Sequence, residues 1–124
     1  MSVRMILDTS AVAAYSKGSI HVGEVLAELH DEPEVKFALP VICLAEAGKV
    51  ADDVDQLVLL AQHERAVTTP LRAEDWLDLI NLSMMLGRVD CAATFLGATQ
   101  NRAYLLTATP DRYPDSEIII DVGH

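Results

Sequence analysis

The sequence has no long apolar run, although 51% of its 124 residues are hydrophobic. A helix needs roughly 18 consecutive apolar residues to span a bilayer, and the opening segment, residues 1–8, is too short for the apolar core of a signal peptide. We therefore expect a cytoplasmic protein that does not enter a membrane. Only 23% of the residues are charged, which excludes a disordered chain because apolar burial offsets the entropy lost on folding.

Cysteine is scarce, and Cys43 and Cys91 do not form a Cys-x-x-Cys pair. Two cysteines in apolar segments are more often small buried hydrophobes than disulfide partners or zinc ligands. A thiolate nucleophile at Cys91 is disfavoured because the neighbouring Asp90 would raise the pKa of the thiol. We predict that both cysteines are buried and structural.

Basic residues are few as well, with nine Lys and Arg against nineteen Asp and Glu, and the net charge is −10. Phosphate contacts normally require a basic surface, so this composition argues against nucleic-acid binding. A metal ion can neutralise an acidic cleft, however, and the basic residues can still form a local patch. Four basic residues lie near the acidic segments described below in the sequence, namely Lys17, Lys49, Arg88 and Arg112. They could contact phosphates, but the commonest role of such residues is a solvated surface.

The chain shows no internal repeat, low-complexity stretch or flexible linker, and its length suits one domain, residues 1–124. Glycine and proline residues divide it into short alternating elements. The predicted strands are 3–7, 35–39, 66–69, 104–107 and 117–122, and the predicted helices are 11–14, 22–29, 41–50, 53–62, 72–86 and 90–99. Strands that alternate with helices predict an α/β fold, here a three-layer α/β/α arrangement around a mostly parallel sheet.

The clearest amphipathic pattern covers residues 72–86 and stops at Gly87. Trp76 and Ile80 lie near one predicted apolar face of this helix. We expect Trp76 and the pair Met84–Met85 to form core or a dimer surface rather than to stack on nucleic-acid bases.

Three acidic residues stand out against this pattern. Asp8 directly follows the first predicted strand, and in open parallel α/β sheets the carboxyl ends of the strands face the ligand crevice. Glu46 lies within an apolar helical segment, where an unpaired buried charge is costly, and Asp90 opens a later helix. Converging carboxylates suit a hard divalent ion, and their crowding should raise one carboxyl pKa when no metal is bound.

The three acids are far apart in the sequence, so they converge only if the fold brings their elements together. The alternative is that Asp8 and Asp90 are helix N-terminal acids, which stabilise first-turn N–H groups by about 0.5–2 kcal/mol. Glu46 would then lie on an exposed helix face. The histidines, which are His21, His30, His63 and His124, lack metal-ligand spacing and are expected to have surface roles.

These acidic segments resemble the PIN-domain family, and within it the small toxins of VapBC toxin–antitoxin systems. Ile-Leu-Asp-Thr-Ser-Ala, residues 6–11, is similar to the family's first acidic motif, and Leu-Ala-Glu-Ala, residues 44–47, is similar to its second. The helix of residues 89–99, with Asp90, and the apolar strand 104–107 resemble its third. The resemblance covers nearly the whole chain and implies a PIN-like fold.

The sequence departs from the family pattern at one position. The family's fourth acid usually follows the last of these strands as Thr-x-Asp, whereas this chain has Thr107-Ala108-Thr109. Asp111 lies two residues later, but Pro110 restricts how the backbone can redirect it, and we expect no substitution from Asp111. The departure bears on whether a second metal binds and on catalysis.

The resemblance implies a ribonuclease that uses one Mg²⁺ or Mn²⁺ to hydrolyse RNA phosphodiesters. Asp8 and Asp90 would be the direct ligands, and Glu46 would bind through water or orient the attacking water. The residues expected to hydrogen-bond these ligands are Thr9, Ser10 and Thr107. The implied partners are an RNA substrate, a cognate antitoxin that inserts a basic residue into the acidic cleft, and a second copy in a homodimer.

Two hypotheses from other classes remain open at this point. One is a PIN-like protein-binding module that has lost cleavage, for which Thr109 is the best evidence. The other is a phosphoacceptor domain of the receiver type, which also uses acids at strand ends but resembles this chain less, because no Lys follows Lys49.

Overall fold

The computed structural model describes residues Ser2–Gly123. Among the histidines considered above, His124 and the side chain of His30 lie outside the described residues. The strands are β1 (Ser2–Leu7), β2 (Val35–Pro40), β3 (Ala66–Thr69), β4 (Tyr104–Thr107) and β5 (Ile119–Asp121). The α-helices are α1 (Thr9–Ser16), α2 (Ile20–Ala27), α3 (Val41–Val50), α4 (Val54–Ala61), α5 (Trp76–Leu86) and α6 (Val89–Asn101).

The five strands form one parallel sheet in the order β3-β2-β1-β4-β5. From β1 the chain moves outwards through β2 and β3, and it then returns to add β4 and β5 on the other side of β1. The strand order therefore reverses between β1 and β4, and ligands of open α/β sheets bind outside the carboxyl ends of the strands at such a point. This topology places the end of β1, which Asp8 directly follows, at the expected position of a cleft.

Alternate residues of β1 face two separate cores. Met5 and Leu7 pack on one face of the sheet, and Ile6 packs on the other. The helical residues of the first core include Val12, Val22, Leu26, Ala47, Leu57 and Leu60, and those of the second include Leu86, Cys91 and Ala98. Helices thus cover both faces of the sheet, and the predicted three-layer α/β/α fold is confirmed.

Several element ends differ from the prediction. Helix α2 begins two residues earlier than its apolar periodicity indicated, because the Ser19 hydroxyl caps it by accepting the Val22 N–H. The last turn predicted for α2 is instead a 3₁₀ turn, Glu28–Asp31. Strand β2 extends one residue beyond the prediction, to Pro40, which directly precedes α3. A second 3₁₀ turn, Ala73–Asp75, replaces the start predicted for α5.

The predicted core face of α5 is wrong in part. Leu86 is buried, whereas Trp76 is 60% exposed, Met84 is 82% exposed, and Ile80 is also exposed. The apolar residues of α5 extend around more than half of the helix, so periodicity alone does not choose which part faces the protein. Trp76 therefore does not belong to the core, and the alternative of a dimer surface stays a prediction.

The cysteine prediction is confirmed, because Cys43 and Cys91 are both buried and free. Within residues 2–123 no single helix is long and apolar enough to cross a membrane. The segments 73–86 and 89–101 would reach that length and apolarity only if they were joined, and they are bent by 116° relative to each other.

Candidate functional site

All three acids predicted as metal ligands line one open cleft of about 410 Å³ beside the carboxyl end of β1. Its charged lining residues are Asp8, Glu46, Asp90, Lys49, Arg88 and Arg112, and its hydroxyl-bearing residues are Thr9, Ser10 and Thr109. The formal charges of the acids and of the basic residues balance in this cleft. Three of the chain's nine basic residues therefore lie beside these acids, although the net charge of the chain is −10.

Asp8 links β1 to α1 and is only 2% exposed. It is the N-cap of α1, and its Oδ1 accepts hydrogen bonds from the Ala11 N–H at 2.9 Å and from the Ser10 hydroxyl at 2.7 Å. The other oxygen, Oδ2, accepts the Tyr113 hydroxyl at 2.6 Å. The capping role considered for Asp8 is thus present, and it holds the carboxylate rigidly at the edge of the cleft.

Asp90 lies in the first turn of α6 and is equally buried, at 2% exposure. Its Oδ1 accepts the Arg88 Nε–H at 2.8 Å and the Cys91 backbone N–H at 3.0 Å. Its Oδ2 accepts the Thr9 hydroxyl at 2.6 Å and the Arg88 Nη2–H at 3.1 Å. The Thr9 bond joins α1 to α6, so it fixes the two aspartate segments relative to each other.

The pKa of Asp90 does not follow the expectation for crowded acids. Burial raises it, but the hydrogen bonds from Arg88 and Thr9, together with the positive charge of Arg88, lower the Asp90 pKa by more than burial raises it. The net pKa is below the ordinary value, opposite to the raised pKa predicted for crowded carboxylates. The reason is that a basic residue of the same chain lies next to this acid.

Glu46 lies on α3, and its side chain is 31% exposed. It forms an ion pair with Lys49, one turn later, with 2.9 Å between Oε2 and Nζ. Cys43, one turn earlier on the same helix, lies 3.1 Å from the Thr94 hydroxyl of α6, and burial raises the pKa of its thiol to about 11. This neutral contact packs α3 against α6 and brings Glu46 to the same cleft as Asp90.

The hydroxyls predicted to support the acids are close to them. Ser10 hydrogen-bonds Asp8, lies 3.1 Å from the Thr107 hydroxyl and accepts the Ala108 N–H at 2.9 Å. Thr109, the position at which the resemblance predicts a fourth acid, lines the cleft, and its N–H donates to the Thr107 hydroxyl at 3.0 Å. The network ties the ends of β1 and β4 together.

Asp111 is not part of this cleft. It lines a separate cavity with Asp115 and Asp121 on the other side of the loop after β4. The 3₁₀ turn Pro110–Arg112 directs Asp111 away from the acids and places Arg112 at the cleft instead. No acid among residues 2–123 therefore replaces the one missing at Thr109 in the lining of the cleft.

Tyr113 contacts the site, and no sequence pattern predicted it as a site residue. It is buried, its ring stacks on Phe95 with 6.3 Å between centroids, and its hydroxyl donates to Asp8. Burial raises the Tyr113 pKa, and the negative charge of Asp8 raises it further, so the phenol stays protonated and remains a donor. No local signal marks this residue, because its partner is far away in the chain.

The acidic side chains of the cleft can be compared with the ligands that a divalent ion requires. Carboxylate oxygens are the ligands that Mg²⁺ and Mn²⁺ prefer, and three of them line one cleft, so the chemistry fits. In the arrangement described for residues 2–123, however, no three His, Cys, Asp or Glu side chains are grouped so as to hold a metal ion. Arg88 and Lys49 pair with two of the three acids instead. An ion would have to displace these contacts.

Two solved structures share this fold. A chain of a toxin–antitoxin complex from Klebsiella pneumoniae has a TM-score of 0.69 and 14% sequence identity, and the match covers 95% of this chain and 97% of that chain. The protein PAE2754 from Pyrobaculum aerophilum has a TM-score of 0.62 and 16% identity over 99% of this chain and 93% of that chain. No protein-family model and no curated protein matches the sequence.

These likenesses establish the architecture over almost the full length of all three chains. The sheet order also separates this fold from the receiver type, whose strands follow the order 2-1-3-4-5, whereas here β3 is an edge strand next to β2. The phosphoacceptor hypothesis is therefore wrong.

Proposed function

We propose that this protein is a divalent-metal-dependent endoribonuclease of the PIN type and the toxin of a toxin–antitoxin pair. The observation that carries the proposal is the convergence of Asp8, Glu46 and Asp90, from three separate elements, on one cleft at the sheet's switch point. The fold shared with a chain of a toxin–antitoxin complex supports the toxin role. An RNA substrate is consistent with the three basic residues beside the acids.

In the proposed mechanism, Asp8 and Asp90 would hold one Mg²⁺ or Mn²⁺, which when bound polarises a phosphate oxygen and lowers the pKa of a water molecule. Ser10 and Thr9 orient the two carboxylates through short hydrogen bonds. Glu46, the most exposed of the three acids, would accept a proton from the attacking water.

The basic residues of the cleft have a separate role in this mechanism. Lys49 and Arg112, which line the cleft, would neutralise RNA phosphates and raise the local concentration of the polyanion. Their presence answers the composition argument against nucleic acid, because the cleft as a whole is balanced in charge whereas the rest of the chain is acidic.

The first test is calorimetric titration of Mn²⁺ into the purified protein, with Asp8→Asn as the variant. Asparagine retains an oxygen that can cap α1, so we expect the fold to persist while the affinity for Mn²⁺ falls by at least about tenfold. Asp111→Asn is the matched control, because Asp111 does not line the cleft. Unchanged binding in Asp8→Asn contradicts the proposal, and cleavage of total RNA in the presence of Mn²⁺ is the matching activity assay.

A second candidate function is a PIN-like protein-binding module without nuclease activity. The ion pairs of Asp90 and Glu46 and the Thr at position 109 favour it. Thr109→Asp separates the two hypotheses. A gain of both Mn²⁺ affinity and cleavage indicates a degraded site, whereas an active wild-type protein that is unaffected by this change indicates that three acids suffice.

The proposed antitoxin is a protein with a basic segment, which the acidic exterior attracts. Induction of the chain alone in a bacterial host should arrest growth, since the proposed substrate is cytoplasmic RNA, and Asp8→Asn should not. Growth that is equally unaffected by both proteins argues for the binding module.

The homodimer expected from the resemblance is also part of the proposal. Four exposed apolar residues share one face of α5, namely Trp76, Leu77, Ile80 and Met84. A second copy would bury this face, so Met84→Glu should turn a dimer into a monomer in light scattering. A wild-type monomer at high protein concentration contradicts this part of the proposal.

A further inference from the structure

We propose that Arg88 is an internal counter-cation of Asp90, and that a divalent ion engages Asp90 only by displacing Arg88, so that this residue sets the metal affinity of the cleft. The inference rests on the proposed function, since it concerns access to the same site. Its basis is the set of contacts around one carboxylate.

The first argument is that the described donors saturate Asp90. An ionised carboxylate offers about four lone-pair directions. Asp90 accepts four hydrogen bonds, two on each oxygen, and two of these come from Arg88. A metal ion must therefore replace at least one donor before it can bind this carboxylate.

The second argument identifies the donor that can leave. The Cys91 N–H belongs to the backbone of α6 and cannot leave without shifting that helix. The Thr9 hydroxyl is on a short side chain of α1, which can rotate but cannot extend into solvent as an arginine can. The Arg88 side chain is 44% exposed and extends from the residue just before α6. Its guanidinium can swing into solvent and recover hydration, which makes it the donor that a metal displaces at the smallest cost.

The third argument concerns how Arg88 is placed. Gly87 ends α5 with φ of +86°, and Arg88 then has an extended backbone with φ of −146° and ψ of 141°. The left-handed conformation at Gly87 is one that glycine adopts without strain. This turn directs Arg88 back over the first turn of α6, where its planar fork meets both carboxylate oxygens.

Asp8 differs from Asp90 in this respect. Among the described residues its donors are Ser10, the Ala11 N–H and Tyr113, and none of them carries a charge. An approaching cation meets no like charge bonded to Asp8, whereas at Asp90 it meets the guanidinium. The two proposed ligands are therefore unequal, with Asp8 available first and Asp90 available after Arg88 has moved.

The experiment is calorimetric titration of Mn²⁺, without any substrate, into the wild-type protein, Arg88→Gln and Arg88→Lys. We expect Arg88→Gln to bind Mn²⁺ at least about tenfold more tightly, because a competing charge-assisted pair is removed. Arg88→Lys keeps the charge but loses the fork, so its affinity should fall between the two. Arg72→Gln is the matched control, because Arg72 forms a similar pair with Glu74 away from the acids, and it should match the wild type.

A metal-independent measurement accompanies the titration. A double-mutant cycle of Arg88→Gln and Asp90→Asn, followed by urea unfolding, should show that the two changes are not additive. Additive changes overturn the role of Arg88 as a counter-cation, whatever the metal does. Near-ultraviolet circular dichroism checks that each variant is folded.

The outcomes separate this inference from the proposed function. Equal or weaker Mn²⁺ affinity in Arg88→Gln, with clear binding by the wild type, overturns the inference and leaves the metal site in place. Absence of Mn²⁺ binding in all variants overturns the proposed metal dependence, and it also overturns the inference that Arg88 competes with a metal ion for Asp90. Tighter binding in Arg88→Gln alone supports both.

Discussion

Two arginine–acid pairs of this protein have the same sequence spacing but different surroundings. Arg72 and Glu74 precede α5, and Arg88 and Asp90 are at the start of α6. In both pairs the Nε and Nη2 atoms of the arginine contact the acid, yet the Glu74 side chain is 62% exposed and that of Asp90 is 2% exposed. The Arg72 nitrogens share a single Glu74 oxygen, whereas Arg88 covers both oxygens of Asp90.

The comparison indicates that the burial of the acid, rather than the arginine or the sequence spacing, decides how much such a pair contributes to stability and ligand binding. An exposed pair gains little because water and salt screen it, and each charge is well hydrated without its partner. A buried carboxylate that loses its counter-charge has no such compensation. The pair at the cleft is therefore expected to affect stability and ligand binding, and the pair before α5 is not.

Removing Arg88 should change stability the most, and removing Arg72 is the matched comparison. Arg88→Ala should lower the free energy of unfolding by about 1–2 kcal/mol, since it removes two charge-assisted bonds from a buried acid, with part of the loss returned by the hydration of a half-exposed side chain. Arg72→Ala should lower it by less, because the Glu74 side chain is exposed and the contact of Arg72 with the more buried Asp75 is long, at 4.0 Å. Equal losses in the two variants would show that burial of the acid is not the deciding factor.

A smaller effect is expected from Thr9→Val, which keeps the side-chain shape but removes the hydroxyl that donates to Asp90. The loss of one hydrogen bond to a carboxylate that keeps its other donors should cost about 1 kcal/mol. Urea unfolding measures the change, and Thr99→Val is a control on the exposed side of α6, where the hydroxyl bonds only the Phe95 carbonyl. If Thr9→Val is as stable as Thr99→Val, the bond between α1 and α6 contributes nothing.

The smallest expected effect is on the pH dependence of stability. The Asp90 pKa is lowered on folding from its ordinary value of 3.8, because the bonds and charge of Arg88 and the bond from Thr9 outweigh burial. The unfolded chain then binds this proton more readily, so the stabilisation is present above pH 3.8 and is lost as the pH falls through the folded-state pKa.

Arg88→Gln should reduce or abolish that loss, because without the bonds and charge of Arg88 the folded-state Asp90 pKa moves back up towards its unfolded value, and the two states then bind this proton more equally. Arg72→Gln should leave the acid limb of the stability curve in place. Thermal unfolding between about pH 5 and pH 2 compares the three proteins. A curve for Arg88→Gln that coincides with the wild-type curve would mean that Arg88 does not hold the Asp90 pKa down.

Much of the fold was predictable because the local signals agree with one another. The apolar strand before Asp8, the change to helix at Thr9 and Ser10, and the alternation of strands and helices all indicate a parallel α/β sheet. The supporting positions of Thr9 and Ser10 followed from the same segment. Where several apolar faces compete, as on α5, periodicity cannot choose between them. Of the two alternatives predicted for Trp76, the core is wrong and the dimer surface stays a prediction.

The rest of the site could not be predicted because it depends on distant neighbours. Arg72 and Arg88 look alike in the sequence, and only packing shows that one faces a buried acid. Tyr113 has no local signal, since its partner Asp8 is 105 residues away. The position of Asp111 outside the cleft depends on the direction of a 3₁₀ turn, which the proline alone does not set.

The order of strands and helices, the burial of the two cysteines and the acids at the ends and starts of elements follow from the sequence alone, because they depend on periodicity and on neighbours within a few residues. Only the tertiary structure decided that Asp8, Glu46 and Asp90 share one cleft and that Arg88 already neutralises one of them. Electrostatic energy depends on distance in space and on burial, and neither quantity is set until the sheet has brought distant segments together.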